Sequence, residues 1–299
     1  MKLYLHIGIP RTASTFLQAA LFSKLGHVHY LGPNSKAAVA IGKLIYEKRS
    51  LNFQDYDLLN DLAKSSQDIL ISSETLSFEP WLQEYPSHQS RLKEIFDEVQ
   101  IILFLRHPTD WVFSLYGLAI QKGRFIPIRE FVDFDGKFSR PQTSVNDRKT
   151  RVNIQNFSPH RVLTDWNQVF DHTKLFFFET FLANQETLLS EMLAAFDWNA
   201  NLKKVNLAGR NNASPTLATQ DTTVGVFKTF VRHESENRFF RSLQHRLGRF
   251  AADFTLNQNI SLSLYSQQED RLEIQERLDK FFFEDIENIK TLTPNCPWR

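Results

Sequence analysis

The chain has 299 residues, enough for one α/β domain with insertions or for two small domains. Lysine plus arginine (35) nearly balance aspartate plus glutamate (34), so a net charge of +1 gives no global case for nucleic-acid or membrane binding, and any anion site has to be local. A single cysteine, Cys296, excludes an intramolecular disulfide framework and a metal site built from several thiolates, and it suits a reducing compartment.

Residues 3–7 read as a compact apolar strand, and 14–25 as a helix carrying Phe16, Leu17, Leu21 and Leu25 near one face. Because the chain enters that strand at once, no cleaved leader is expected. No apolar run reaches membrane-spanning length, and the expected location is cytoplasmic. A short strand over 28–31 precedes helical patterns over 35–47 and 53–64. A third strand over 69–71 ends in the polar Ser72, Ser73 and Glu74. A helix from about His88 leads into the most hydrophobic strand, 100–105, followed by a helix over 108–121 with Pro108 near its first turn. Residues 126–149 are mixed and contain a loop. Helix, strand and helix then follow over 159–170, 175–178 and 185–196. Short apolar strands alternating with amphipathic helices predict a parallel sheet covered on both faces, with 27 phenylalanines filling an aromatic core. Beyond residue 197 the pattern becomes turn-rich and then mainly helical to residue 292.

The stretch HIGIPRTASTF concentrates chemistry at the exit of the first strand. Gly8 lets the backbone approach a ligand. Pro10 and the small residues Thr12, Ala13, Ser14 and Thr15 lead into a helix whose first N–H groups favour an anion. Arg11 adds a fixed fork of donors, and the three hydroxyls add more. The bland counterpart is a strand–loop–helix junction with an ordinary hydroxyl cap. Residues 8–15 also lie close to the phosphate-loop pattern GxxxxGK[ST], with Ala13 replacing the second glycine and Ser14 the lysine. Anion binding survives that comparison. Nucleoside triphosphate hydrolysis is weakened, because the missing lysine is the group that reaches the β- and γ-phosphates.

A second element, RHPTDWVFSLY, follows the strand ending at Leu105. Arg106 stands at the carboxyl edge of that strand, where open α/β sheets bind ligands, and Ser114 lies two helical turns on. The pair suits a phosphate, or else a sheet-edge arginine and a serine on a polar helix face. In pairing and order, the two elements resemble the sulfotransferases that use 3'-phosphoadenosine 5'-phosphosulfate (PAPS). The resemblance runs from residue 2 to about 196, and it includes the helix, turn and strand that carry Trp166 and Glu179.

That resemblance implies a three-layer α/β fold with a central, mainly parallel sheet, similar to P-loop nucleotide kinases, and a largely helical C-terminal part. It implies one domain over 1–299, in which 1–196 form the cofactor-binding core and 197–299 an extension closing over cofactor and acceptor. Residues 8–15 would hold the 5'-phosphosulfate, Arg106 and Ser114 the 3'-phosphate, and Arg210, in GRNNASPT, would return to the nucleotide. The product would be 3'-phosphoadenosine 5'-phosphate (PAP), formed by in-line transfer with no metal required. Arg11 stands where the family usually has lysine. Arginine keeps the charge but is not a proton donor at neutral pH, so its implied role is electrostatic. The transfer also needs a base, and Glu74 matches the glutamate of carbohydrate-modifying and bacterial relatives, rather than the histidine of the phenol and steroid type. Glu74 could equally cap a turn with Ser72 or Ser73. His88, His107, His27 and His29 are weaker base candidates, and Glu179 reads as structural.

The implied acceptor is a saccharide or small alcohol, with no nucleic acid or stable membrane insertion. Six basic residues between Lys228 and Arg249, interleaved with Phe227, Phe230, Phe239, Phe240 and Phe250, suit either an acceptor surface or a solvated helix face. Apolar helix faces do not divide between core and interface, which leaves the oligomeric state open. Two other readings stand beside the transferase: a kinase-like phosphotransferase, and a non-catalytic nucleotide-binding protein.

Overall fold

A computed structural model describes residues 1–46, 51–78, 84–137, 151–200, 202, 217–231, 238–258 and 267–298. The chain forms two compact units that interleave along the sequence. The first comprises Met1–His107, Ser158–Asn212 and Glu284–Arg299, and the second Pro108–Phe157 and Ala213–Phe283.

Seven strands are described: β1 (Lys2–His6), β2 (Val28–Leu31), β3 (Asp68–Ser72), β4 (Glu98–Leu105), β5 (Val132–Asp133), β6 (Val152–Asn153) and β7 (Thr173–Phe177). The first unit holds a five-stranded sheet in the order β2-β3-β1-β4-β7. Every pairing in it is parallel, with Leu5 opposite Ile71 on one side and Ile101 on the other. Leu3, Tyr4 and Leu5 are all buried, as are Ile101 to Leu105. This near-continuous burial is what a parallel sheet covered on both faces requires, and alternation would have been wrong here. Tyr4, Phe22, Phe104, Phe176, Phe196 and Trp198 share one core cluster, in which Tyr4 meets Trp198 edge-on at 5.0 Å.

The helix expected over 14–25 is present but irregular. Ser14–Phe16 is α-helical, Leu17–Leu21 is π-helical and Phe22–Lys24 is 3-10. The wider π turn still buries Leu17 and Leu21, so the apolar spacing is satisfied without a regular α-helix. Helix Lys36–Ile45 is capped by Ser35, whose hydroxyl accepts from Ala38 N–H. Helix Phe53–Ala63 opens with a capping box between Asn52 and Asp55. The C-terminal segment returns to this unit: Trp298 packs edge-on against Phe177 at 5.3 Å and His107 at 5.7 Å.

The second unit is mainly helical, with Leu217–Val231 lying against Arg238–Asn257, and with Pro108–Gln121 and Gln268–Phe281 beside them. Its interior is tied by a buried polar network. Gln267 Nε2 donates to Tyr116 Oη and to Asp221 Oδ1, each at 2.9 Å, and Arg271 Nη2 donates to Asp221 Oδ1 at 2.9 Å. Trp111 stacks on Phe157 at 4.0 Å. Among the described residues, no helix is long and apolar enough to cross a membrane.

Candidate functional site

The site is built where the sheet pairing of β1 runs out. After His6 the chain keeps its register for two more bonds, Ile7 N–H to Ile102 O and Ile9 N–H to Phe104 O, both 3.0 Å. Gly8 lies against β4: a Cβ there would stand 2.8 Å from Phe104 Cβ and 3.0 Å from Thr12 Oγ1. Only glycine fits that approach. Thr12 Oγ1 donates to Ile9 O at 2.6 Å, which folds the loop back on itself.

Two non-glycine residues of the loop are left-handed, Arg11 with φ 72° and Ala13 with φ 66°. Each costs about 1–2 kcal/mol relative to an ordinary conformation, and such strain concentrates at ligand sites. Alternation of hand through Arg11, Thr12 and Ala13 is the backbone pattern of a nest, a conformation that suits an anion. Ala13 caps the helix with no side-chain hydrogen bond, so the ordinary hydroxyl-cap reading of this junction does not describe it. The N–H groups of the first turn have no carbonyl ahead of them in the helix. The Ser14 hydroxyl is buried and completes no hydrogen bond of normal geometry among the described residues.

Glu74 opens a 3-10 turn directly after β3, whose last residue Ser72 is in register with His6. Its carboxyl is pushed up from the ordinary glutamate value by burial, and the Ser14 hydroxyl and the Arg11 charge pull the other way. Ser14 therefore lies near enough to favour the ionised carboxylate without forming a hydrogen bond of normal geometry. Burial lowers the Arg11 guanidinium, and Glu74 opposes that shift. Even lowered, an arginine keeps its proton at neutral pH. Arg11, Ser14 and Glu74 thus share one partly dry charge environment. The capping alternative for Glu74 is not what forms. Ser73, at the cap position, makes no cap bond and pairs with Thr75 Oγ1 at 3.1 Å, while Ser72 Oγ meets His6 Nδ1 at 2.8 Å.

Arg106 follows β4 at once. Its Nη1 donates to Arg11 O at 3.2 Å and its guanidinium lies 4.5 Å over the Phe178 ring, so it braces the loop from the neighbouring strand exit. Ser114 is buried in helix Pro108–Gln121, in the second unit, whereas Gly8, Arg11, Thr12, Ala13, Ser14, Glu74 and Arg106 belong to the first. Pro10 and Thr15 flank the cradle. Tyr116, the last residue of the second motif, donates to Ile126 O at 2.9 Å and is structural. Arg210 lies outside the described residues.

The other candidates are accounted for elsewhere. Glu179 Oε1 accepts His107 N–H and Oε2 accepts Trp298 Nε1–H, both at 2.9 Å, which is a structural clamp. His27 and His29 are exposed, and His88 precedes a 3-10 turn without capping it. Phe227 packs on Phe125 at 5.4 Å, and Phe250 is exposed; the side chains of Phe230, Phe239 and Phe240 lie outside the described ones. No group of three His, Cys, Asp or Glu among the described residues is placed to hold a metal ion.

Sequence reasoning missed His6 and Gln18. His6 is fully buried and held neutral, its pKa pushed down to about 3 by desolvation. Ser72 Oγ joins it to Gln18 Nε2 at 2.9 Å, so one hydroxyl links β1, β3 and the helix after the cradle. The available signal was a histidine inside an otherwise apolar strand.

No protein-family model matches the sequence, and no curated protein matches it. Among solved structures, a sulfotransferase from Alicyclobacillus acidocaldarius aligns over 98% of this chain and 96% of its own, with a TM-score of 0.53 and 13% identity. The sulfotransferase domain from the curacin biosynthetic pathway aligns over 93% and 96%, at TM-score 0.43 and 11% identity. A mouse sulfotransferase complexed with PAP aligns over 95% and 84%, at 0.41 and 9%. At such identities the likeness speaks of fold, and the first of these carries it. The chain has the sulfotransferase-like, P-loop-like α/β fold, with a central parallel sheet and a helical C-terminal region.

Proposed function

We propose that this protein is a sulfotransferase that takes a sulfuryl group from PAPS and places it on an acceptor hydroxyl. The single observation that carries the reading is the convergence of Glu74, Arg11 and Ser14 on a cradle with left-handed residues at 11 and 13. The residues fit the donor's 5'-phosphosulfate. Gly8 has no room for a Cβ, and the buried Ser14 hydroxyl has a hydrogen bond still to give. PAPS would supply an activated sulfur with 3'-phosphoadenosine 5'-phosphate as its leaving group.

The chain's own groups divide the work. Gly8 and Pro10 shape the loop, Thr12 and Ala13 present backbone N–H groups, and Ser14 and Thr15 present N–H and hydroxyl groups; the Thr12 hydroxyl is spent on Ile9 O. Arg11 neutralises charge beside the cradle as a fixed cation, not as a proton source. Glu74 accepts the proton of the acceptor hydroxyl, and its pKa, raised by burial, makes it a stronger base than an exposed glutamate. Arg106 holds the loop through Arg11 O, and in this reading it also takes the 3'-phosphate. A glutamate in the base position favours the carbohydrate-type and bacterial branch over the phenol and steroid branch, and the lone, half-buried Cys296 suits a cytoplasmic protein.

The test is PAPS turnover with a panel of saccharides and small alcohols, read as release of the bisphosphate and gain of sulfate mass on the acceptor, with and without EDTA. Sulfated product from wild type and none from an Arg11→Ala, Glu74→Gln double variant is expected. Phosphorylation of an acceptor from ATP, with no use of PAPS, would overturn the reading.

A further inference from the structure

Beside Glu74 lies a cavity of about 300 Å³, formed wholly within the first unit. One wall is helix Lys36–Ile45, which contributes Ala38, Val39, Gly42 and Lys43. The other wall is Ser73 and Thr75, the residues on either side of Glu74. We infer that this cavity is the acceptor subsite and that it takes a neutral, ring-sized polyol, such as one sugar residue or a cyclitol. The inference rests on the proposed transferase reading, and it adds where the acceptor sits and of what class it is.

Size comes first. Ligand pockets span about 300–1,000 Å³, and this one stands at the lower end, enough for one ring. Its chemistry is split in a way that matches a polyol. Ala38, Val39 and Gly42 give a small apolar floor along one helix face, suited to the C–H face of a saturated ring. Opposite, the Ser73 and Thr75 hydroxyls stand 3.1 Å apart, one donating to the other, so the pair keeps one proton to give and lone pairs to accept. Tyr46 Oη donates to Thr75 O at 2.6 Å and fixes that turn.

Charge excludes the anionic alternative. Lys43 is the charged residue of the lining, and its Nζ lies 2.8 Å from Asp55 Oδ2. Asp55 also accepts from Asn52 N–H in the capping box, so the ammonium is neutralised by a carboxylate with a second anchor. A carboxylate or sulfate on the acceptor would meet a cation already paired. A neutral hydroxyl can instead bond within a rim that offers donors and acceptors at once. Val39, 49% exposed, stands at the mouth and makes the pocket open to substitution without touching the core.

The test uses the full chain saturated with adenosine 3',5'-bisphosphate, with ligand-observed NMR on methyl glucopyranoside, methyl galactopyranoside, myo-inositol, glucuronate and p-nitrophenol. Bisphosphate affinity is measured in parallel by calorimetry, and its absence in wild type would sink the transferase reading separately. Binding of at least one neutral polyol in preference to glucuronate and p-nitrophenol is expected. Val39→Trp should weaken that binding at least about tenfold, and Thr75→Val should weaken it by a smaller factor. Both variants should keep bisphosphate affinity within about twofold, which also reports that they fold. Tight bisphosphate binding with no polyol bound, with preference for glucuronate or p-nitrophenol, or with polyol binding untouched by Val39→Trp would overturn the inference.

Discussion

Glu74 and Glu179 both stand in the first turn of a helical segment that follows a parallel strand, yet the structure treats them oppositely. Each carboxylate oxygen of Glu179 is occupied, one by His107 N–H and the other by Trp298 Nε1–H. The Glu74 carboxylate accepts no such bond among the described residues, and burial raises its pKa beside Arg11 and Ser14. A carboxylate with both oxygens engaged holds structure together. One kept partly dry beside the loop of residues 8–15 is, in the proposed reading, the group that takes a proton. Sequence position alone does not separate the two.

Exchange of each glutamate for glutamine sharpens that contrast. Glu74→Gln should lower kcat by about 100- to 10,000-fold, the usual range for a lost general base, while bisphosphate affinity and melting temperature hold. Glu179→Gln keeps one acceptor where two donors need one each, so it should cost about 1–3 kcal/mol of stability and leave kcat within a few-fold. Equal losses of rate in the two variants, measured by steady-state kinetics, would break the comparison.

The cradle responds next. Gly8→Ala pushes a methyl group into Phe104 Cβ and Thr12 Oγ1. Overpacking of this kind costs about 1–3 kcal/mol, and displacement of the loop should appear as weaker bisphosphate binding as well as a lower denaturation midpoint. Unchanged binding would place the anion elsewhere.

Two pH effects follow, of opposite origin. Glu74 must be ionised to act as base, so the acid limb of kcat against pH should fall above the ordinary glutamate pKa and vanish from the residual activity of Glu74→Gln. His6 acts on stability. Its folded pKa, about 3, lies below the unfolded value near 6.5, so the unfolded chain binds the extra proton between those values. Stability is therefore intact above about pH 6.5 and is lost as pH falls toward 3, by up to about 1.4 kcal/mol per pH unit from this one group. Urea midpoints for wild type and His6→Gln across that window should converge as pH drops. Parallel curves would show that His6 is not the buried neutral group.

The smallest expected effect is at Ala13. Its φ of 66° is where the phosphate-loop pattern has its second glycine. Ala13→Gly should relieve strain and raise stability by up to about 1 kcal/mol, partly offset by a freer unfolded chain. A melting temperature lowered by that change would contradict the left-handed assignment.

Much of this was legible in the sequence, because it was local. Apolar runs at 3–7 and 100–105 marked the central strands, and the small residues after Gly8 marked the cradle. The departure at Ala13 from the glycine pattern pointed to the position that is now left-handed. Longer-range relations were not legible. Nothing in the order of residues says that Ser72 bridges His6 and Gln18, 66 and 54 positions away, or that Trp298 returns to Glu179 across 119 residues. The π turn over Leu17–Leu21 was hidden for another reason: its apolar spacing reads the same as that of an α-helix.

The most direct test of the central claim is calorimetry of the wild-type chain with adenosine 3',5'-bisphosphate and, separately, with ATP plus magnesium, alongside Arg106→Ala. Tight binding of the bisphosphate, weak binding of ATP–magnesium and loss of the bisphosphate signal in Arg106→Ala are expected. Tight ATP–magnesium binding without bisphosphate binding would contradict the account.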